Sequence, residues 1–284
     1  MLRAYYALTK PGIIYGNIIT TAAGFLLASK GVIDFGLLVA IMVGTSLVIG
    51  SACVFNNYID RNIDLAMERT QKRALVTGKI TGPQALSYAA VLGLLGGLVL
   101  IRYTNWLTFA IGAAAFVDYV VLYGVAKRRS VHGTIVGSIA GAAPIVAGYT
   151  AVTGRLDAAA VILFIILVVW QMPHFYAIAI YRLKDYRAAG LPVLPAAHGI
   201  RATKLQIIIY IVAFIAATEA LTLYSYTGYI YAVGMAVIGL VWLGKGVAGF
   251  SARDDTKWAR RVFFFSLVTL LGFSVLVSFG RFLV

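Results

Sequence analysis

Charge is scarce in this chain and acid scarcest of all. Its 284 residues include 10 Asp and Glu against 24 Lys and Arg, with 12% charged and 61% hydrophobic. Mean hydropathy is +0.91, too apolar for a water-soluble domain. The single cysteine, Cys53, lies in an apolar run, so an internal disulfide is excluded. With it, 3 scattered histidines offer no zinc-ligand spacing. Short alternating polar–apolar segments are missing, which excludes a membrane β-barrel. No cleavable signal peptide and no Arg/Ser-rich leader is recognisable, an expectation against organelle import and in favour of a prokaryotic source. No soluble domain or simple repeat stands out.

What is abundant is long apolar runs of the roughly 20 residues that cross a bilayer. Nine are expected, near 12–29, 35–55, 84–101, 105–125, 133–152, 157–180, 205–224, 228–247 and 262–282. The fold class is therefore all-α and polytopic, one membrane domain over 1–284. With a cytoplasmic N-terminus and the C-terminus outside, every basic residue except Lys30, Arg102, Arg155 and Arg281 falls on the inner side or at an inner helix end. That asymmetry is the positive-inside pattern expected of a multi-pass plasma-membrane protein. It explains most of the +14 net charge without nucleic acid. The polar connections near 56–83 and 181–204 are expected to cap an active site.

The stretch Asn56-Asn57-Tyr58-Ile59-Asp60-Arg61-Asn62-Ile63-Asp64 ends the second run. On a helix, steps of four residues drift only ~40°, so Asn56, Asp60 and Asp64 share a stripe ~12 Å long. Stacked carboxylates repel unless a cation sits among them. Mg²⁺ suits, because it accepts carboxylate oxygens while binding substrate phosphates. Arg69, Lys72 and Arg73 follow closely. Guanidinium and ammonium groups beside a metal fit a diphosphate, and an apolar bundle behind it fits a prenyl tail. The bland alternative is a solvated helix end, which suits a lone Asp better than three polar residues at membrane depth.

A second polar passage runs from Trp170-Gln171-Met172-Pro173-His174 through Arg182-Leu183-Lys184-Asp185-Tyr186. Pro173 frees a carbonyl within a helix. His174 and Asp185 are spaced to share a helical face. Asp185 is a candidate for a second metal position, Arg182 and Lys184 for phosphate, and His174 for a base or an acceptor contact; a packed core histidine is the equal alternative. Asp118 is an ionisable residue inside a span, expected to face the cavity or a basic partner. Tyr119 and Tyr123, one turn apart, are candidate pocket walls whose ring faces stabilise an allylic cation, and Lys127 follows.

LTKPGII, NNYIDRNIDLAMERT, YxxxYxxxKRRS with GSIAGAAPIVAGY, and WQMPHFYAIAIYRLKDYRAAGLPVLP together resemble the intramembrane aromatic prenyltransferase superfamily over essentially the whole chain. The last of these motifs resembles the haem-modifying branch. The resemblance implies nine helices around a central cavity open to the cytoplasmic face, with Asn56, Asp60, Asp64 and Asp185 as metal-site residues. It also implies farnesyl diphosphate as donor, Mg²⁺ as cofactor, haem B as acceptor, and a neighbouring haem A synthase or terminal oxidase. Two positions depart from the pattern. Tyr181 stands four residues before Asp185, where many members have a second Asp, and Ala74 follows Arg73, where proline is expected. The first leaves the second metal's ligands open.

The reaction implied is electrophilic: the metal and basic groups take up charge on the leaving diphosphate. A dry cavity protects the cation until a haem vinyl group attacks. A prenyltransferase acting on a quinone-precursor aromatic acid would share the first motif but not WQMPHF. A secondary transporter, from a different class, would also carry intramembrane Asp residues, yet it would not require both polar clusters at one membrane face.

Overall fold

The computed structural model describes residues 1–280 and is all-helical. The expected end of the last span at 282, and Arg281, lie outside the described residues. A short α1 (Leu2–Leu8) precedes α2 (Pro11–Ser29), α3 (Phe35–Asp64) and α4 (Gly82–Tyr103). The next helical rod comprises α5 (Trp106–Val117), a π-helical turn (Asp118–Leu122) and α6 (Tyr123–Arg129). Then come α7 (Gly133–Thr153), α8 (Ala158–Tyr181), the short α9 (Leu183–Ala188) and α10 (Leu194–Ala197), α11 (Gly199–Leu223), α12 (Tyr229–Val247) and α13 (Asp255–Phe279). Among the described residues 9 helical stretches are long and apolar enough to cross a membrane.

Local chemistry fixes the helix starts. Asp34, Asn105, Asp157 and Asp254 each cap a helix by accepting an amide bond from Leu37, Thr108, Ala160 and Lys257. Thr81 and Gln84 form a reciprocal capping box at α4. Asn105 is thereby a structural residue, and its amide also donates to the Thr150 carbonyl at 2.8 Å.

Packing depends on glycine where α2 crosses α7. A Cβ on Gly24 would strike the Ile145 carbonyl, and one on Gly148 would strike the Thr21 carbonyl. Each helix thus presents a glycine to the other's backbone, a close approach typical of membrane helices. The main core joins Leu163, Ile166, Phe214, Tyr231, Trp242 and Phe273, all buried. Trp170 and Trp242 donate their indole N–H to the carbonyls of Ser266 and Val262. Each indole polar atom is thus satisfied within the bundle, as a low-dielectric interior requires.

Consecutive spans alternate in direction, so the longer connections 65–81, 182–198 and 248–254 gather at one end with the short 130–132 turn, and the connections 30–34, 104–105, 154–157 and 224–228 lie at the other. Two sequence expectations need correction. The polar stretch from 56 is not a loop at its start: α3 continues as one helix to Asp64, and the loop begins at 65. The helical face joining His174 to Asp185 does not exist. Arg182, with φ −109 and ψ 17, leaves helical geometry after Tyr181, and Asp185 sits on the separate α9.

Candidate active site

The last two turns of α3 build the site, and the asparagine pair divides its work. Asn57 donates to the Leu8 carbonyl at 2.8 Å, tying the amino-terminal segment to α3. That contact brings Lys10 over Asn56, whose amide oxygen accepts from the Lys10 ammonium at 2.9 Å. Lys10 has φ 52, a left-handed backbone unusual for a lysine, immediately before Pro11. Strain of this kind persists where surrounding contacts over-determine a residue. Burial lowers the Lys10 ammonium from its usual range to about 8, with Arg73 and Lys127 pushing the same way against Cys53 and Asp60. The other Asn56 amide atom, Nδ2, is buried without a partner among the described residues.

One turn on, Asp60 is buried and carries two cations. Lys127 binds one carboxylate oxygen, and Arg128 binds the other at 3.0 Å while also donating to the Ile59 carbonyl. Both arrive on α6, so the helix after the π-helical turn is locked against α3. Another turn on, Asp64 is 2% exposed and receives Arg73 at 2.6 Å. Arg73 can reach back because the 65–81 loop folds under the helix end. Thr70 donates to the Asp64 carbonyl, Gln71 donates to the Leu65 carbonyl, and Met67 and Ile80 are buried beneath them.

The predicted stripe is therefore real in space, and each member meets a cation from a different segment: Lys10, then Lys127 with Arg128, then Arg73. Tyr119 and Tyr123 stack at 5.5 Å and 25°, and the Lys127 ammonium lies 5.0 Å from the centre of the Tyr123 ring. Tyr123 is also within electrostatic reach of Asp60, Arg69 and Tyr186. That reach brings the second polar passage towards the first. On it, Arg182 pairs with Asp185 at 3.8 Å, and burial pushes the Tyr186 phenol up while Arg69 opposes.

Other predicted residues stand apart. Asp118 is buried and accepts from the Ala140 amide at 3.2 Å, facing α7 and meeting no cation among the described residues. His174 is in the α8–α13 seam, stacked on Trp170 at 4.9 Å and against Phe263 at 4.8 Å, with Nδ1 2.7 Å from the Ser266 hydroxyl. Lys72 and Lys184 are exposed. Sequence reasoning missed Lys10, Arg128, Asn57 and Tyr186 as site members. For Lys10 a signal was available, since it is the lone basic residue opening the first span in Lys-Pro.

Asp60 and Asp64 offer hard, buried carboxylate oxygens, and the unpartnered Asn56 nitrogen is a donor facing the same stripe. This set fits Mg²⁺ held jointly with phosphate, for such an ion takes one or two carboxylates and completes its shell with phosphate and water. Among the described residues no three of His, Cys, Asp and Glu lie close enough to hold an ion alone. An ion held here would take its remaining ligands from substrate phosphate and water.

The UbiA prenyltransferase family model matches residues 17–268. A protohaem IX farnesyltransferase of Yersinia enterocolitica is 51% identical over 98% of this chain and 94% of its own. One from Photorhabdus laumondii is 50% identical over 98% and 95%. Among solved structures, a digeranylgeranylglyceryl phosphate synthase superposes with TM-score 0.81 over 99% of this chain and 98% of its own at 18% identity. A UbiA homologue from Archaeoglobus fulgidus, bound to GPP and Mg²⁺, superposes with TM-score 0.70 over 96% and 99% at 15% identity. Those two likenesses speak to the fold, and the curated relatives speak to kinship along the whole chain. The chain belongs to the UbiA prenyltransferase family.

Proposed function

We propose that the protein transfers the farnesyl group of farnesyl diphosphate to a vinyl group of protohaem IX (haem B), with addition of water, releasing haem O and diphosphate. Half-identity to protohaem IX farnesyltransferases across nearly the full length carries the choice of acceptor. The buried carboxylates among converging cations support the diphosphate end.

Asn56, Asp60, Asp64 and, for a second position, Asp185 would hold Mg²⁺. When bound, the ion would offset charge on the diphosphate and help orient it. On substrate binding, Arg73, Lys127 and Arg128 turn from the carboxylates to phosphate oxygens, and Lys10 adds a fourth cation. Arg69, Lys72, Arg182 and Lys184 supply outer contacts. As the allylic C–O bond breaks, its electron pair leaves on diphosphate and these groups stabilise the growing charge. The Tyr119 and Tyr123 faces stabilise the farnesyl cation; Tyr123 already attracts the Lys127 ammonium in the same way. The vinyl π electrons then form the new C–C bond. Water captures the resulting haem-side cation and loses a proton, leaving a hydroxyethylfarnesyl group.

The connections 65–81 and 182–198 would cap the cavity on the cytoplasmic side, a placement supported by the basic residues concentrated at that end. His174 and Asp118 would lie towards the acceptor. The test is the porphyrin mass after incubation with farnesyl diphosphate, Mg²⁺ and haem B. A gain of farnesyl plus water supports the assignment. No gain in folded protein that binds both compounds, with prenylation of 4-hydroxybenzoate instead, would overturn it.

A further inference from the structure

A cavity of about 660 Å³ lies at the opposite end of the bundle from the carboxylates. It is framed by the end of α2, the α7–α8 turn and the α11–α12 turn, with Leu27, Ala28 and Val152 as apolar walls and Lys30, Arg155 and Tyr226 among its polar ones. From these residues we infer a binding site for the phosphate headgroup of an anionic membrane phospholipid.

Charge and placement both point there. Asp157 is fully engaged: its Oδ2 accepts from the Tyr149 hydroxyl at 2.9 Å and from Arg155 Nε at 3.1 Å, and its Oδ1 caps α8. Burial would raise this carboxyl, but the bonds from Tyr149, the Ala160 amide and Arg155 outweigh it and hold it below the usual carboxylate range. Arg155 is thereby held through its Nε, with its side chain 71% exposed. Lys30 has no carboxylate partner among the described residues. Lys30, Arg155 and Asp157 together leave one positive charge, which matches a phosphodiester monoanion better than dianionic free phosphate.

Backbone geometry adds a second observation. Only Lys10, Lys30 and Ser225 among the described non-glycine residues have left-handed φ. The first is in the candidate active site, and the other two both line this cavity. Lys30 closes the last turn of α2 and Ser225 follows the end of α11, so two left-handed helix ends shape the rim of the cavity. The apolar walls lie at helix ends, the depth at which a phospholipid's glycerol and first methylenes meet its headgroup. Basic pockets between membrane helices bind anionic headgroups by this combination of charge and apolar wall.

The experiment incubates the full-length protein, purified in detergent, with vesicles of equal parts phosphatidylcholine and phosphatidylglycerol, and reads retained lipid by native mass spectrometry. Preference for phosphatidylglycerol is expected, falling roughly fivefold in Lys30→Gln or Arg155→Gln. Lys30→Arg keeps the charge and the preference. Arg102→Gln removes a cation from the same end, outside the cavity, and should change nothing. Farnesyl-transfer turnover in the Lys30 and Arg155 variants serves as the folding check, since both residues are remote from the carboxylates. The proposal is overturned if the two Gln variants retain the preference, if Lys30→Arg loses it, or if Arg102→Gln abolishes it equally. Displacement of the lipid by millimolar inorganic phosphate would assign the site to a free anion and overturn it as well.

Discussion

Arg73 reaches 9 residues back along the chain to place its guanidinium 2.6 Å from the Asp64 carboxylate, which is almost wholly buried. A buried carboxylate with one partner is costly to strand, about 3–5 kcal/mol when the partner is removed. Arg73→Gln should therefore lower the melting temperature. Asp64→Asn should leave a folded protein but reduce kcat by roughly 10²–10³-fold, the size seen when a charge-stabilising group is lost. A thermal melt and a turnover assay separate the two. Equal turnover in Asp64→Asn and the parent protein would refute the role given to this carboxylate.

Lys10 is held by Asn56 directly and by Asn57 through the Leu8 carbonyl. Lys10→Ala should raise KM for farnesyl diphosphate about tenfold or more, by loss of a charge-assisted phosphate contact, and leave haem affinity unchanged. Asn57→Ala should produce a weaker version of the same effect by loosening the segment that carries Lys10. Steady-state kinetics with each substrate varied in turn would show this; an effect on haem affinity alone would contradict it.

How much of this was legible beforehand depends on sequence distance. The Asn56–Asp60–Asp64 stripe follows from four-residue spacing along one helix, and the structure keeps that helix unbroken to Asp64. The spans follow from continuous apolar runs. The partners do not: Lys127 and Arg128 lie 67 and 68 residues from Asp60, and only the packing of α6 on α3 joins them. The supposed shared face of His174 and Asp185 failed because a single residue, Arg182, leaves helical geometry, and no periodicity reveals such a break.

Gly24 and Gly148 place α2 and α7 in backbone contact, with the opposing carbonyls standing where a Cβ would go. Gly148→Ala or Gly24→Ala should cost about 1–3 kcal/mol through overpacking. Gly12→Ala, which has open space, should cost little. Comparing melting temperatures of the three in one detergent tests the contact. Similar melting temperatures for all would refute it.

His174 stacks on Trp170 and Phe263 and is bonded to Ser266 on the neighbouring helix. His174→Ala should weaken haem binding and product formation while sparing KM for farnesyl diphosphate, since the ring lies in the α8–α13 seam with no bond to the carboxylate stripe. Haem titration followed by the porphyrin spectrum measures the first, and the product assay the second. Intact haem binding and intact farnesylation together would remove His174 from the acceptor side.

Diphosphate binding by titration calorimetry, with and without Mg²⁺, tests the carboxylate–cation site most directly. In the parent protein binding should require Mg²⁺ and be reversed by EDTA, and Asp60→Asn with Asp64→Asn should abolish that requirement together with most of the affinity. Binding that is equally tight without the ion, and unchanged when both carboxylates are removed, would contradict the assignment of this stripe as the metal–diphosphate site.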